Sequence, residues 1–226
     1  MRRNISVMIL LLAPLPALAQ DQDEQLWLQT NGAVILSDRA KVTLEGIVRF
    51  GDAAEGLSHA EAGILYTRTL PGGVELSLGY RHVEDWNKGA VLPNEERLRQ
   101  MILVPLGSGF NVRLRSEQRF HSAGGEIGFR LRPRLGYETR LGWGGLKLFA
   151  TQEHFVNFNT TGWGQRSGYE RVRNAVGVSI PLGGKLRGEV GYLNQYRFGR
   201  AGKRDTMDHA LTLTLNFNIA SLGHGD

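Results

Sequence analysis

The sequence contains no cysteine, and beyond its first residues it has no long apolar run. Without cysteine the chain forms no disulfide, which excludes the small disulfide-stapled class of secreted domain. A membrane-spanning helix needs about 20 apolar residues in succession, and the chain past its N-terminus offers none. Disorder is excluded as well, because 41% of the residues are hydrophobic and 8% are aromatic.

The charge of the chain is basic but dispersed. Lys and Arg number 27 and Asp and Glu 22, which gives a formal net charge of +5. The basic residues are spread along the chain, without the basic stripe and interleaved exposed aromatics that single-stranded nucleic acid requires. We therefore expect no nucleic-acid partner.

Residues 1–19 predict a cleaved secretory signal. Arginines near the start are followed by a short apolar stretch, and small side chains stand at Ala17 and Ala19. The alternative is a membrane anchor, but the uninterrupted apolar run Ile5–Ala13 is too short to span a bilayer. We expect cleavage after Ala19, export of the mature chain and a location in the bacterial outer membrane.

The remainder of the chain alternates with period two. In FNVRLRSEQRF, at residues 110–120, Phe110 and Leu114 fall on one face and Arg113 and Arg115 on the other. Such alternation is typical of a strand with two different faces. The pattern predicts eleven strands, at residues 26–36, 41–50, 60–70, 74–85, 95–105, 110–120, 127–141, 146–158, 169–182, 186–198 and 207–219.

The connectors fall into two alternating classes. Short glycine-rich turns, such as residues 107–109 and 183–184, alternate with longer polar segments, such as residues 87–94 and 159–168. This connectivity predicts an all-β fold, an antiparallel transmembrane β-barrel of about 10–12 strands with short periplasmic turns and longer extracellular loops. The alternative is a secreted β-sandwich that acts as a binding protein, because sandwich strands alternate too.

The expected organisation leaves one segment open. Residues 1–19 form the signal, residues 41–219 the barrel and residues 220–226 a periplasmic tail. Bacterial barrels have an even number of strands with both ends in the periplasm, so an eleventh strand has no assigned place. Residues 20–40 are therefore a lead-in, a first strand or a plug.

The pattern also resembles a known family. The stretches RLRSEQRF, FRLRPRLGY and EHFVNF and the segment Arg171–Gly177 are similar to the outer-membrane family catalogued as domain of unknown function 2490. This resemblance covers nearly the whole mature chain; it implies a barrel in the outer membrane of a diderm bacterium and supplies no reaction. The closing segment LTLTLNFNI resembles the terminal strand that barrel-assembly machinery recognises.

If the apolar faces meet lipid, the charged faces line the lumen. The lumenal basic residues and anion-binding candidates are Arg113, Arg115, Arg119, Arg130, Arg132, Arg134, Arg171 and Arg173. Their expected acidic partners are Glu45, Glu75, Glu117, Glu138, Glu153 and Glu189. One interpretation is a salt-bridged core that stiffens the barrel. The other is a narrow anion-preferring channel or a small binding barrel, which makes small anions the candidate ligands.

Catalytic signals are weak. An outer-membrane lipid or lipid A hydrolase could use His121 and Ser122, but adjacent residues of a strand point to opposite faces. Groups of histidine and acid at strand ends raise a metal site as another alternative; they are His82, Glu84 and Asp85, and Asp205, Asp208 and His209. We expect an outer-membrane barrel that is not an enzyme, with no cofactor and no metal. Its expected partners are outer-membrane lipid, lipopolysaccharide and the barrel-assembly machinery.

Overall fold

A computed structural model describes residues 20–142, 144–200 and 202–221, whose regular structure is almost entirely β. The predicted signal, residues 1–19, lies outside the described residues, as do residues 222–226 of the expected tail. No helix within the described ranges is both long and apolar enough to cross a membrane.

The strands follow one another along the chain with short connections. They are β1 Asp21–Ser37, β2 Ala40–Gly51, β3 Gly56–Thr69, β4 Glu75–Asn87, β5 Ala90–Val91, β6 Glu95–Gly107, β7 Phe110–His121, β8 Ile127–Arg140, β9 Lys147–Asn157, β10 Gly168–Gly183, β11 Leu186–Arg197 and β12 Thr206–Ser221. A short 3-10 turn, Pro71–Gly73, joins β3 to β4.

The strands form one closed sheet. Each long strand pairs with its neighbour in the chain, β4 pairs with both β3 and β6, and β1 pairs with β12. The two-residue strand β5 pairs only with the end of β4, so the wall of the barrel contains eleven long strands. The predicted all-β barrel is confirmed, and its strand number lies within the predicted range. The alternative of a two-sheet sandwich is wrong, because there is a single sheet closed on itself.

The closure joins two parallel strands. Asp21 pairs with Thr206 and the register continues in the same direction along both strands, whereas every other neighbouring pair is antiparallel. The expectation of an even number of strands is therefore wrong. The segment left open by the sequence, Asp21–Ser37, is a strand of the wall. With an odd number of strands, residues 20 and 221 lie at opposite ends of the barrel.

The two ends of the barrel carry different connections. One, which we call the turn end, carries residues 38–39, 70–74, 108–109, 141–142, 144–146 and 184–185. The other, the loop end, carries residues 52–55, 88–94, 122–126, 158–167, 198–200 and 202–205. Residue 20 lies at the loop end.

The turn between β6 and β7 shows why the turn end is rich in glycine. Gly107, Ser108 and Gly109 all have positive φ, at 86°, 51° and 87°, in the left-handed region that glycine adopts most easily. A Cβ at Gly109 would lie 2.2 Å from the backbone oxygen of Glu138 on the neighbouring strand. This turn therefore requires glycine both for its conformation and for its close approach to β8.

The two faces of the wall have opposite character. Large apolar side chains point outward, and Leu78 and Leu106 are each 59% exposed. Charged side chains point inward, and Arg99 and Glu117 are almost fully buried. The barrel thus reverses the arrangement of a water-soluble protein, with its charge inside and its apolar surface outside.

Candidate functional site

Strands β7 and β8 place arginines opposite one another inside the barrel. Arg113 is the direct register partner of Arg134, and Arg115 is the partner of Arg132. Like charges directly opposite on neighbouring strands destabilise a sheet unless opposite charges reach them. Carboxylates from several strands supply part of that compensation.

Glu117 is the first of these carboxylates. Its side chain accepts hydrogen bonds from Arg130 Nε at 2.8 Å and Nη2 at 2.5 Å, and from Arg132 Nη1 at 2.8 Å. Arg115 approaches it at 3.6 Å. Charge-assisted hydrogen bonds of this number are what keep a fully buried carboxylate ionised.

Glu153 gathers three arginines around a phenyl ring, one of which, Arg132, also bonds Glu117. It accepts hydrogen bonds from Arg113 and, at 2.8 Å, from Arg132, and Arg173 approaches at 3.7 Å. Phe155, on the same strand, has guanidinium carbons stacked over it, at 4.3 Å for Arg132 and 5.0 Å for Arg173. The ring thereby holds cations that a single carboxylate cannot fully pair.

The opposite wall repeats the arrangement with Glu45 and Glu61. Arg81 bonds both carboxylates, Glu45 at 2.9 Å, and Arg99 also bonds Glu45. Further contacts to Glu61 come from Arg49 at 3.3 Å, Arg97 at 3.4 Å and His59 at 2.7 Å. These contacts join β2, β3, β4 and β6 and so tie four neighbouring strands of the wall together.

Together these groups form a layer across the middle of the lumen, which we call the central belt. It consists of Glu45, Glu61, Glu117 and Glu153 with the arginines that bond them. The layer includes two of the driest charged side chains in the described part of the chain, with 0% exposure at Arg99 and 1% at Glu117. Other belt side chains line a cavity that reaches from Glu75 near the turn end to Arg119 toward the loop end.

The turn end of the lumen is wetter. Lys41 and Glu75 form an ion pair of 3.1 Å with both side chains about one-third exposed, and Lys147 pairs with Glu138 at 2.7 Å. Glu189 accepts a hydrogen bond from Asn216 at 3.2 Å. The predicted acidic residues therefore divide into belt members and pairs nearer the turn end.

A cavity of about 740 Å³ occupies the lumen. The predicted anion-binding residues line it, with the polar side chains of the turn end. Within the described residues Arg134 has neither an ion pair nor a hydrogen bond, and its buried Nε lacks a partner. The Nε atoms of Arg113 and Arg132 are buried and unpartnered too. The cavity wall thus carries arginine N–H groups that have no hydrogen-bond acceptor, and its arginines outnumber its carboxylates.

The remaining predicted arginines lie toward the loop end. Arg119 bonds both oxygens of Glu95, at 2.7 and 2.6 Å, and donates to Gln165 at 2.9 Å. Arg171 bonds Glu170 and reaches Gln195 at 3.4 Å. All eight predicted arginines therefore face the lumen. The buried Nε atoms without a hydrogen-bond partner that were described above belong to three of them, Arg113, Arg132 and Arg134.

The loop of residues 158–167 folds against the loop end. Trp163 stacks on His121 with ring centroids 4.9 Å apart, and its Nε1 donates to the backbone oxygen of Glu126 at 2.8 Å. Gln165 is buried against Arg119. Sequence reasoning treated this segment as a plain polar loop.

The hydrolase residues are not brought together. His121 Nδ1 accepts the backbone N–H of Ala123 at 3.2 Å, and Ser122 donates its own backbone N–H to Asn94. A histidine that activates a serine must use a free ring nitrogen as acceptor, and here Nδ1 is already occupied. No hydrogen bond joins His121 to Ser122 among the described residues.

The histidine and acid groups at the strand ends are divided between the two faces. His82 and Glu84 lie outside the barrel, whereas Asp85 points inward and bonds His59 at 2.5 Å. Asp208 is buried inside and His209 bonds Tyr192 outside. The described residues contain no group of three side chains that could hold a metal ion.

Some lumenal acids were missed from the sequence. Glu61 and Glu95 share the strand parity of inward neighbours, so alternation alone could have found them. Glu170 could not be found in this way, because an irregularity between Tyr169 and Arg171 turns two successive residues inward. A β-bulge of this kind breaks the period of two.

Comparison with known proteins places the chain among proteins of similar sequence. The family described as Protein of unknown function (DUF2490) matches residues 24–206. An uncharacterised protein of Methylorubrum extorquens is 37% identical over 203 residues, which cover 86% of this chain and 87% of that protein. No solved structure matches the chain. The match spans most of the barrel, so the chain belongs to the DUF2490 family of proteins of unknown function.

Proposed function

We propose that the protein is a β-barrel of the bacterial outer membrane whose arginine-rich lumen binds small anions. The reversed wall supports the membrane location, because leucine-rich surface at this exposure would be costly in water. The strands are 11 to 17 residues long, and a tilted strand needs about 9–11 residues to cross a bilayer. In this orientation the turn end faces the periplasm and the loop end faces outward.

The single observation that carries anion binding is the unpaired arginine at the cavity. Arg134 lies directly across from Arg113 on β7 and from Glu153 on β9, yet it forms no ion pair or hydrogen bond with a described residue. The nearest shared carboxylate, Glu153, already serves Arg113 and Arg132. A phosphate, sulfate or carboxylate group in the cavity would offer these donors the bidentate partners that guanidinium prefers.

The central belt favours a binding barrel over an open pore. The lumenal cavity has lining residues on both sides of the belt, but the buried belt side chains are paired across neighbouring strands and so narrow any hydrated path that a pore would need. The second candidate, a narrow anion-preferring channel, would need the belt to open. Such a channel would select anions through a ring of arginines, and the lumenal arginines proposed to bind anions would form that ring.

The partners follow from the location. Outer-membrane lipid and lipopolysaccharide would cover the apolar wall, and the barrel-assembly machinery would meet β12. The final strand ends in alternating apolar residues, with Leu215 and Phe217 directed outward. This is the pattern that supports its use as an assembly signal.

Calorimetry on the purified, detergent-solubilised protein tests the anion site with inorganic phosphate and sulfate as probes. We expect Arg134→Gln to weaken binding about tenfold, as loss of a charge-assisted hydrogen bond does. Arg187→Gln is the matched control, because Arg187 bonds Ser179 near the turn end and lies away from the cluster. Equal affinities in wild type and Arg134→Gln would contradict the site.

Planar-bilayer recording separates the remaining candidates. A binding barrel gives no stepwise conductance. Stepwise, anion-selective currents would instead support the channel and contradict the binding barrel. A barrel that is silent and binds neither probe would leave only the charge-paired structural core. Protein that stays soluble without detergent would overturn the membrane location itself.

A further inference from the structure

A trough runs across the outer wall, perpendicular to the strands. Its floor is a row of direct register partners with small side chains: Ala62 pairs with Gly46, and Gly46 with Thr30. Beyond Thr30 the row meets Leu215, whose side chain is 46% exposed and ends the small-residue floor before Gly188. The depression has a volume of about 740 Å³.

The side of the trough toward the loop end is apolar. Leu28 and Val48 rise there, and Ile180 and Leu182 lie at the far end of the row. A Cβ at Gly46 would lie 3.1 Å from a methyl of Thr30, so the Thr30 side chain lies close beside the bare backbone of the glycine. Small residues at these register positions therefore create the depression.

One end of the trough is polar and acidic. His82, the register partner of Ala62, approaches Glu96 at 2.7 Å through Nδ1 and Glu84 at 2.9 Å through Nε2. Tyr80 donates to Glu96 at 2.5 Å. Both ring nitrogens of His82 face carboxylates, so two acidic side chains stand against one histidine at this end of the trough. All three ionisable side chains are about one-third exposed.

We propose that this trough binds one acyl chain of a membrane lipid whose headgroup carries a primary amine, with the amine at Glu84 and Glu96. The proposal rests on the membrane-spanning barrel proposed above. The excess negative charge beside His82 attracts an ammonium group and repels a lone phosphate. An acyl chain buries apolar surface along the floor and the apolar side of the trough.

The dimensions suit a single chain. From His82 to Thr30 the small-residue floor crosses four strands, and at about 4.8 Å for each of three steps it is about 14 Å long. One leaflet of a bilayer is about 15 Å of hydrocarbon, so the floor is about as long as one acyl chain. A second copy of the barrel presents a convex wall, which meets a trough only along its rims.

Native mass spectrometry tests the proposal on protein held in mixed micelles. The probes are phosphatidylethanolamine and phosphatidylglycerol with identical acyl chains. We expect the wild type to retain phosphatidylethanolamine about tenfold better, the effect of one charge-assisted contact. Ala62→Leu fills the floor and should abolish retention of both lipids. The double variant Glu84→Gln with Glu96→Gln should keep a bound lipid and lose the preference.

Ala150→Leu is the matched control, because Ala150 faces outward on β9 as the register partner of Val176, outside the trough. Heat-dependent gel mobility checks that each variant is folded. Equal retention of the two lipids by the wild type overturns the headgroup assignment. Retention by Ala62→Leu equal to that of Ala150→Leu overturns the trough.

Other occupants give distinct results. If the protein retains lipopolysaccharide and loses it on addition of a chelator, lipopolysaccharide is the occupant of the trough and not the aminolipid. If the protein is a dimer that Ala62→Leu converts to a monomer, the occupant is a second copy of the chain. Failure of the membrane proposal has its own signature: the wild-type protein would remain soluble without detergent and retain neither lipid.

Discussion

Glu117 accepts several arginine donors at once inside the barrel. Its carboxylate lies at 1% exposure between Arg130 and Arg132, with Arg115 close by. A buried charge group of this kind adds little net stability over an apolar core, but losing one partner leaves the others uncompensated. Individual belt carboxylates therefore matter more than their number suggests.

Replacing Glu117 by Gln should strongly destabilise the barrel. The substitution removes the negative charge shared by the arginines around it, and breaking a buried pair typically costs about 3–5 kcal/mol. Urea unfolding in detergent, followed by tryptophan fluorescence, measures the free energy of unfolding.

The control for that prediction is Glu138→Gln. Glu138 pairs with Lys147 at the turn end, where both groups are accessible to water. Its loss should cost about 0–1 kcal/mol. Equal losses in the two variants would mean that the belt is no drier in solution than the turn end.

At this scale the sequence predicted the faces better than the contacts. Alternation placed Arg113, Arg115 and Glu153 inside because strand side chains have a strict period of two. It could not pair Glu153 with Arg132 and Arg173, since those pairings depend on which strands are neighbours and on their register. Glu170 was missed for another reason, because the bulge beside Arg171 breaks the alternation of inward and outward side chains.

Among the elements, the loop of residues 158–167 stands out because its position depends on a glycine in another strand. A Cβ at Gly128 would lie 2.7 Å from both the Trp163 ring and the Gln165 amide. The loop can therefore settle on the barrel only where β8 has no side chain. Its polar composition gave no sign of this packing.

Gly128→Ala should release this loop without opening the barrel. We expect faster hydrogen exchange across residues 161–165, because the stack of Trp163 on His121 and the burial of Gln165 depend on close contact with β8. Gly125→Ala is the control, since a Cβ there meets nothing within 4 Å. Unchanged exchange in Gly128→Ala would show that the loop accommodates the extra methyl.

The loop of residues 198–205 carries a pH-dependent contact. Tyr196 Oη and, at 2.7 Å, the backbone N–H of Gly199 both donate to Asp205, and these hydrogen bonds lower the pKa of its carboxyl. A lowered pKa means that the contact is complete above the ordinary aspartate value of about 3.9 and is lost as the pH falls through the lowered value.

The amide proton of Gly199 reports this titration by NMR. Its chemical shift should titrate with a midpoint below the ordinary aspartate value, and Tyr196→Phe should move that midpoint upward, because the hydrogen bond that lowers the pKa of Asp205 most is removed. A midpoint that does not respond to Tyr196→Phe would assign the lowered pKa to the Gly199 bond alone.

For the whole molecule, the sequence indicated an odd number of strands but did not show how an odd number could close a barrel. Segment length and alternation gave eleven candidates, and the general rule of even numbers argued against them. Only the parallel pairing of β1 with β12 accommodates all eleven. Pairing between the two ends of a chain leaves no local signal, so the sequence could not show it.

Single-cysteine labelling tests the resulting topology, and the absence of native cysteine makes each label unique. With a membrane-impermeant maleimide on intact cells, we expect Gln20→Cys and Lys203→Cys to react, because both lie at the loop end. Lys185→Cys, in the turn between β10 and β11, should react only after the outer membrane is permeabilised. Labelling of Gln20→Cys together with Lys185→Cys would place residue 20 at the turn end.

The parallel seam also makes the barrel a two-sided connector. Because residues 20 and 221 lie at opposite ends of the barrel, domains fused to them would be displayed on opposite sides of the membrane in which we place it. An even-stranded barrel returns both ends to one side and cannot do this. In this barrel a domain fused at residue 20 would lie on the loop-end side of the membrane, and a domain fused at residue 221 would lie on the turn-end side.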